Sequence, residues 1–276
     1  MALLTLTSDI GQQDLIIGAI KGKLLRHCPG STIIDITHDL PAFNLPQAAY
    51  LCRNALVNFP ESTIHIILVN VFDERKINLL AASHKRQHLC CADNGLITML
   101  LEGMPEQVAA LPFGESDPKT ILDIAERFAK AAAQLDAGIP LNQIGDSTIQ
   151  IDVKNALRPK TGADWMEGQI IFVDRFENVV VNITRAEFEE QRRGRNFKIV
   201  FRRDEVIDTI SSTYADVYEG EKLALFNSAG HLEIAINKGN AAGLFGLRGF
   251  NEKQAGMQHQ LMHAQLFYQS IKIFFE

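Results

Sequence analysis

An aspartate follows the first predicted strand of the chain, inside the segment "TLTSDIGQQD" at residues 5 to 14. Strand character covers residues 3 to 7, and an apolar helical pattern begins after Gly11. In α/β proteins such a junction lies at the carboxyl edge of the sheet, where ligands bind. Asp9 is therefore either a carboxylate that holds a ligand or the cap of the next helix.

Polar segments follow three further predicted strands. They read "DITHDLPAF" at 35 to 43, "NVFDER" at 70 to 75 and "ADNGLIT" at 92 to 98. A tight turn explains any one of them, Asp93-Asn94-Gly95 for example. Because the carboxyl ends of parallel strands meet at one edge, the convergence of all four junctions favours a ligand pocket.

Two segments in the second half of the chain combine polar, aromatic and small residues. "VDRFENVVVNIT" at 173 to 184 places Asp174, Phe176 and Asn178 in one turn. A carboxylate, an aromatic ring and an amide can hold a purine, although a hairpin turn explains the same residues. "FNSAGHLEIAINKGNAA" at 226 to 242 brackets a strand with asparagines and small residues that allow a ligand to approach the backbone.

Composition excludes several classes of protein. The net charge of −6 argues against a general nucleic-acid binder, and arginines 192 to 203 lie among acidic residues. The sequence contains no phosphate-loop, dinucleotide-binding or GxSxG motif, and its histidines lack metal-ligand spacing. We expect no metal, no cofactor, no nucleic-acid partner and no membrane span. The four cysteines are expected to be core thiols of a cytoplasmic protein.

The order of predicted elements indicates two domains. Strands alternate with helices in the first half, which predicts an α/β domain at 1 to 160 with a mostly parallel sheet covered by helices. Short β-rich runs follow the segment "RPKTGADWMEG", which predicts a smaller, mainly β, barrel-like domain at 161 to 276. An amphipathic helix is expected at 254 to 273.

Five segments together resemble one family, the S-adenosylmethionine-hydrolysing adenosyltransferases, which are relatives of the bacterial fluorinase and chlorinase. The segments cover both domains in the family's order. They read "LTSDIG" at 6 to 11, "ITHDLPAFNLPQAA" at 36 to 49, "ADNGLIT" at 92 to 98, "VDRFENVVVNI" at 173 to 183 and "NSAGHLEIAINKGNAA" at 227 to 242.

The resemblance implies a role for each matched residue. Asp9 would accept hydrogen bonds from the ribose diol, and Phe43 would lie beside the ribose. Asp174 would bind the methionine ammonium, Phe176 would pack against the ligand and Asn178 would hold the adenine edge. Contacts to methionine or adenine would be completed by Ser228 and Ala229. The family assembles as a trimer whose ligand lies between the first domain of one subunit and the second domain of the next.

The catalytic set implied by the family, an Asp, an Arg and a His, is only partly present. Asn70 stands at the aspartate position, and an amide cannot take a proton at neutral pH. The histidine position falls on Asp123 or Leu122. Arg75 is retained, and Asp73 or Glu74 can replace the lost carboxylate, although a charged surface turn explains the same residues equally well.

Three functions follow from the resemblance. The first is hydrolysis of S-adenosyl-L-methionine to adenosine and L-methionine by displacement at the ribose C5′. The second is a protein that binds S-adenosylmethionine or adenosine and has lost catalysis, which the incomplete catalytic set favours. The third, halide as nucleophile, ranks last because no serine matching the halide pocket is found near 121 to 124.

Overall fold

A computed structural model describes residues 2–73, 78–112, 120–202, 205–249 and 269–276. The chain divides into two compact units, Met1–Ala156 and Leu157–Glu276, which we call the first and the second unit. The sequence placed the boundary four residues later, after residue 160. Among the described helices, none has the length and apolarity needed to cross a membrane.

The first unit contains a sheet of six described strands. They are β1 (Leu3–Ser8), β2 (Thr32–Thr37), β3 (Ile64–Leu68), β4 (Leu79–His84), β5 (Gln87–Ala92) and β6 (Gln107–Ala110). Their order is β2-β1-β3-β5-β4-β6. The pairs β1–β2, β1–β3 and β3–β5 are parallel, whereas β4 is antiparallel to both of its neighbours. The prediction of a mostly parallel sheet is therefore confirmed.

Helices cover both faces of this sheet. They are α1 (Ile16–His27), α2 (Leu45–Leu56), α3 (Leu96–Leu101), α4 (Ile121–Asp136) and α5 (Leu141–Ile144). The core against α1 and α4 takes Ile64, Ile66 and Leu68 from β3, while the core against α2 and α3 takes Ile67. The almost wholly apolar sequence of β3 results from this two-sided burial. The carboxyl ends of β1, β2, β3 and β5 consequently meet at one edge.

An ion-pair cluster joins α1 to α4 and gives a testable pH dependence. Glu126 lies 2.6 Å from His27 Nε2 and 3.1 Å from Lys23 Nζ. The hydrogen bond from His27 is the main reason that the pKa of Glu126 falls from 4.5 to about 2, with Lys23 adding to it and burial opposing it. A depressed carboxyl pKa stabilises the fold above the unfolded-state value, and that contribution is lost as pH falls from 4.5 towards 2.

We therefore expect Glu126→Gln to lower the free energy of unfolding by about 1 kcal/mol at pH 7, since partial exposure screens the pair. Urea denaturation at pH 7 and pH 3 measures this, and the difference should shrink at pH 3. Glu61→Gln is the matched control, because Glu61 pairs with Arg86 at 2.9 Å on the surface. A Glu126 effect that persists unchanged at pH 3 would contradict the assignment.

The second unit is an antiparallel, nearly barrel-like sheet. Its strands are β7 (Lys160–Thr161), β8 (Trp165–Val173), β9 (Val179–Thr184), β10 (Phe197–Arg202), β11 (Glu205–Ile207), β12 (Lys222–Phe226), β13 (His231–Ile236) and β14 (Ser270–Phe275). Their order is β11-β10-β14-β8-β9-β13-β12, with β7 beside β8. A parallel bridge between Ile210 and Ala224 links the segment after β11 to β12, which brings the two ends of the sheet together. The predicted barrel-like class is confirmed.

Short helical segments complete the second unit: α6 (Arg185–Arg192), α7 (Ala241–Phe245) and a 3₁₀ helix (Tyr214–Asp216). The helix predicted at 254 to 273 is wrong at its end, because β14 begins at Ser270. Ile271, Ile273 and Phe275 are buried in alternation with Lys272 and Phe274, a period of two that suits a strand. Residues 254–268 lie outside the described residues.

Candidate functional site

Asp9 stands at the end of β1, and its carboxylate is held by two backbone N–H groups. Asp9 Oδ2 accepts hydrogen bonds from the N–H of Asn70 at 3.0 Å and of Phe43 at 3.2 Å. Both donors have left-handed backbone conformations, with φ of 47° and 63°. This conformation is unfavourable for residues other than glycine, so tertiary contacts must hold it. Asp9 does not cap α1, because the N-cap residue of that helix is Leu15.

A buried polar pair lies beside Asp9. Ser8 Oγ is 2.8 Å from His38 Nδ1, and both side chains are fully buried. His38 Nε2 lies 3.2 Å from Asp35 Oδ1. The His38 carbonyl accepts a hydrogen bond from Gly11 N–H at 2.8 Å, where Gly11 has φ of 83°. These contacts fix the loop after β1 to the end of β2.

Asn94 anchors the segment that follows β3. Its Nδ2 donates to the carbonyls of Val69 and Asn70, each at 3.0 Å, and the residue is buried. Gly95 has φ of 80°, and a Cβ there would lie 2.4 Å from Lys154 Cγ. Asp93-Asn94-Gly95 is thus a tight turn between β5 and α3. The Asn94 side chain in this turn also holds the backbone of Asn70, whose N–H donates to Asp9.

Asp73 and Lys154 form an ion pair further along the segment after β3. Their Oδ2 and Nζ atoms are 3.6 Å apart, and both side chains are about 40% exposed. Lys154 Nζ also lies 3.8 Å from Asp152 Oδ2. Lys154 was not singled out in the sequence, because nothing local marks a lysine that becomes a partner of a distant aspartate. Glu74 and Arg75 lie outside the described residues.

Asp123, one of the two residues that can align with the family's histidine, has a structural role. Asp123 is the third residue of α4: its Oδ2 accepts from Thr120 N–H at 2.9 Å, and its own N–H donates to Thr120 Oγ1 at 3.2 Å. This reciprocal pair is a capping box, which stabilises the start of the helix.

Phe43 is an exposed aromatic at the same sheet edge as Asp9. Its side chain is 56% exposed, and its N–H is one of the two donors to Asp9. The structure thereby brings Asp9, Phe43 and Asn70 together from three separate segments.

In the second unit, Asp174 organises the turn between β8 and β9. Its Oδ1 accepts from the N–H groups of Phe176 and Asn178, each at 2.8 Å, and its Oδ2 accepts from Asn178 Nδ2 at 3.1 Å. Asp174 N–H donates to the Asn178 carbonyl at 3.0 Å. The hairpin interpretation is therefore correct, and this hairpin leaves the Phe176 ring 76% exposed.

Ser228 and Ala229 lie in the turn between β12 and β13, which we call the 227–231 turn. Asn227 Oδ1 accepts from the N–H groups of Ala229 at 3.0 Å and His231 at 3.2 Å. Gly230, with φ of 74°, donates to the Asn227 carbonyl at 2.8 Å. Ser228 is exposed at the tip of the turn.

Glu233, a carboxylate of β13 that is 3% exposed, was not predicted from the sequence. The Tyr214 hydroxyl donates to Glu233 Oε1 at 2.6 Å, and the Asn227 side chain also hydrogen-bonds to this carboxylate. Burial raises the pKa of Glu233, and the hydrogen bonds from Tyr214 and Asn227 only partly offset that rise. The available signal was a glutamate in the middle of the apolar strand "HLEIAI", since a buried carboxylate requires partners.

The described ranges contain no group of three or more His, Cys, Asp or Glu side chains placed to hold a metal ion. The four cysteines are buried and free. Burial raises the pKa of Cys52 and Cys90 to about 12, so both behave as inert core thiols.

An α/β unit with polar residues gathered at the carboxyl edge of its sheet is typical of proteins that bind small molecules. Residues 4–145 match the SAM hydroxide adenosyltransferase N-terminal domain, and residues 168–252 match the C-terminal domain of the same name. The chain belongs to the SAM hydroxide adenosyltransferase family, as its sequence motifs predicted.

Curated relatives cover most of the chain. It is 30% identical to an (R)-S-adenosyl-L-methionine hydrolase of Thermus thermophilus over 87% of this chain and 94% of that protein. It is 25% identical to the protein of the same name from Methanocaldococcus jannaschii, over 91% of this chain and 94% of that protein. A fluorinase of Actinoplanes sp. is 24% identical over 85% of this chain and 91% of that protein.

A solved structure shares the whole fold. The crystal structure of an uncharacterized conserved protein from Thermotoga maritima superimposes with a TM-score of 0.81 at 25% identity and covers 99% of both chains.

Proposed function

We propose that this protein hydrolyses S-adenosyl-L-methionine to adenosine and L-methionine. Family membership and the names of the hydrolase relatives support this activity. The structural observation that carries it is the Asp9 carboxylate, whose orientation is fixed by two backbone donors before any ligand arrives. A ribose diol presents two O–H donors, and an ionised carboxylate accepts hydrogen bonds without donating any.

The second unit would hold the remainder of the ligand. Asp174 would pair with the methionine ammonium, Phe176 would pack its exposed ring against the ligand, and Asn178 would contact the adenine edge. Ser228 and Ala229 would add contacts from the 227–231 turn. Phe43 would lie beside the ribose. The support is the grouping of these residues in two turns, one of which presents an exposed aromatic beside a carboxylate.

The reaction is a displacement at C5′. A water oxygen forms a bond to C5′, the C5′–S bond breaks with its electron pair going to sulfur, and the water gives up a proton. The sulfonium leaves as a neutral thioether, so no acid and no cofactor is required. The protein therefore has to align one water with the C–S bond and exclude others.

Removal of the proton from the attacking water is the step for which this chain lacks part of the family's catalytic set. The Asn70 amide cannot serve as a base, but Asp73 lies three residues further along and is paired with Lys154. We propose that Asp73 polarises the water, that Arg75 assists and that Asn70 shapes the loop through its N–H bond to Asp9.

Asp73→Asn is expected to lower kcat about 100-fold while KM changes little, because a general base acts mainly in the transition state. Arg75→Ala should likewise reduce turnover more than binding. Steady-state kinetics measures both. Asp152→Asn is the matched control, since Asp152 is the other carboxylate beside Lys154. A normal kcat for Asp73→Asn would show that the segment is only a charged surface turn.

The activity itself is tested by incubating purified protein with S-adenosylmethionine in H₂¹⁸O and separating the products by chromatography. We expect adenosine with ¹⁸O at its 5′ oxygen, formed far faster than in buffer. Tight binding without adenosine would favour the second candidate, a binding protein, which Asn70 and the capping role of Asp123 motivate. A 5′-halogenated product in chloride or fluoride would reveal halide as the nucleophile.

We further propose that the protein acts in the cytoplasm as a homotrimer, with each site shared by two subunits. Asp9→Ala and Asp174→Ala would each be inactive alone. After the two variants are mixed at equal amounts and allowed to exchange subunits, about a quarter of the interfaces would combine two intact halves, so about a quarter of the activity should return. No recovery would place the site within one chain, and sedimentation gives the number of subunits.

A further inference from the structure

Glu233 is a buried carboxylate for which the proposed reaction has no direct use. It lies in β13 between Val180 of β9 and Leu225 of β12. Its carboxylate accepts from the Tyr214 hydroxyl at 2.6 Å and from the Asn227 side chain. Burying a carboxylate is costly unless it receives such hydrogen bonds. A hydrophobic residue could be buried at this strand position at a lower cost in free energy. The contacts made by Glu233 therefore need an explanation.

The contact with Asn227 determines how that amide is oriented. A carboxylate only accepts hydrogen bonds, so Asn227 must direct its Nδ2 towards Glu233. Its Oδ1 then faces the 227–231 turn, where it accepts from the N–H groups of Ala229 and His231. With the amide reversed, an NH₂ group would face two N–H donors, and the turn would lose both bonds.

Charge connects the same carboxylate to the neighbouring turn. Asp174 acts electrostatically both on Glu233 and on the Tyr214 hydroxyl that donates to it. The negative charges of Asp174 and Glu233 therefore reinforce each other and favour a cationic ligand group in the second unit.

We propose that Glu233 is a positioning residue of the substrate site, which fixes the 227–231 turn by orienting the Asn227 amide. This inference rests on the proposed function for the identity of the ligand, and on contacts of the second unit for the mechanism. Glu233 acts through Asn227, so the prediction concerns the pair and not the carboxylate alone.

The test exchanges the amide and the carboxylate between positions 227 and 233. Asn227→Asp places two carboxylates against each other, and their repulsion loosens the side chain that accepts from the Ala229 and His231 N–H groups. We expect its affinity for S-adenosylmethionine to fall about tenfold. The double variant Asn227→Asp with Glu233→Gln restores a donor opposite an acceptor, and we expect affinity within about threefold of wild type. Glu233→Gln alone should be mild, because the Tyr214 hydroxyl can then accept instead of donate.

Two measurements make the result decisive. Calorimetry with S-adenosylmethionine should show the loss of affinity in Asn227→Asp and its recovery in the double variant. Hydrogen exchange of the Ala229 and His231 amides reports the turn without any ligand, and it should speed up in Asn227→Asp and recover in the double variant. Normal exchange in Asn227→Asp, or no recovery in the double variant, would overturn the proposal. If wild-type protein fails to bind S-adenosylmethionine while the exchange pattern holds, only the proposed function has failed.

Discussion

Asp9→Ala is expected to abolish binding of S-adenosylmethionine, the largest effect among the site variants. The substitution removes the acceptor for the ribose diol, and each hydrogen bond to a charged group contributes about 1.5–3 kcal/mol, so affinity should fall at least about 100-fold. It also leaves the N–H groups of Asn70 and Phe43 without their acceptor, although both residues keep an unfavourable backbone conformation. Calorimetry measures the affinity.

The control for Asp9 is Asp136→Ala, which removes an exposed carboxylate at the end of α4. It should bind the ligand normally. Thermal unfolding of both variants separates loss of the site from loss of the fold. A ligand that lacks the ribose hydroxyls should bind wild type and Asp9→Ala equally weakly. Normal affinity of Asp9→Ala for S-adenosylmethionine would rule out the ribose assignment.

Substitution of Asp174 gives the second large loss of ligand affinity. Two variants separate the role of its negative charge from the role of its hydrogen bonds in the hairpin. In Asp174→Asn the amide oxygen can still accept from the N–H groups of Phe176 and Asn178, and Asn178 can rotate its own amide to match. The hairpin is retained while the negative charge is lost. We expect affinity for S-adenosylmethionine to fall about tenfold or more, since the ammonium loses its ionic partner.

Adenosine should bind Asp174→Asn as it binds wild type, because it carries no ammonium. Asp174→Ala removes the acceptor as well, so the turn should loosen and both ligands should bind more weakly. Asp208→Asn, an exposed aspartate of the same unit, is the control. Equal losses for the two ligands in Asp174→Asn would place Asp174 beside the nucleoside instead of the ammonium.

Much of the fold could be predicted from the sequence, because the residue patterns that specify it lie within short segments. The all-apolar run of β3 requires cover on both faces, and the structure supplies it. α1, α2 and α4 lie where the periodicity placed them, with shifts of a few residues at their ends. Each of these elements depends on side chains within one or two turns of chain, and the same is true of the turn that Asp174 forms.

The segment of β14 shows where local signals fail. Its partners are β10 and β8, which lie about 70 to 110 residues earlier in the chain. A short run of alternating residues at a chain end has no strand propensity strong enough to exclude a helix, and only pairing with these distant strands decides the outcome.

The sequence by itself determined the fold class, the family and the residue types at the ends of the strands, because motifs and periodicity extend over only a few positions. Tertiary structure alone decided that Phe43 and Asn70 direct their N–H groups at Asp9, that Lys154 pairs with Asp73 and that Tyr214 donates to Glu233. The physical reason is distance along the chain. A hydrogen bond or an ion pair requires atoms within a few ångströms, and folding alone brings residues so far apart in sequence to that separation.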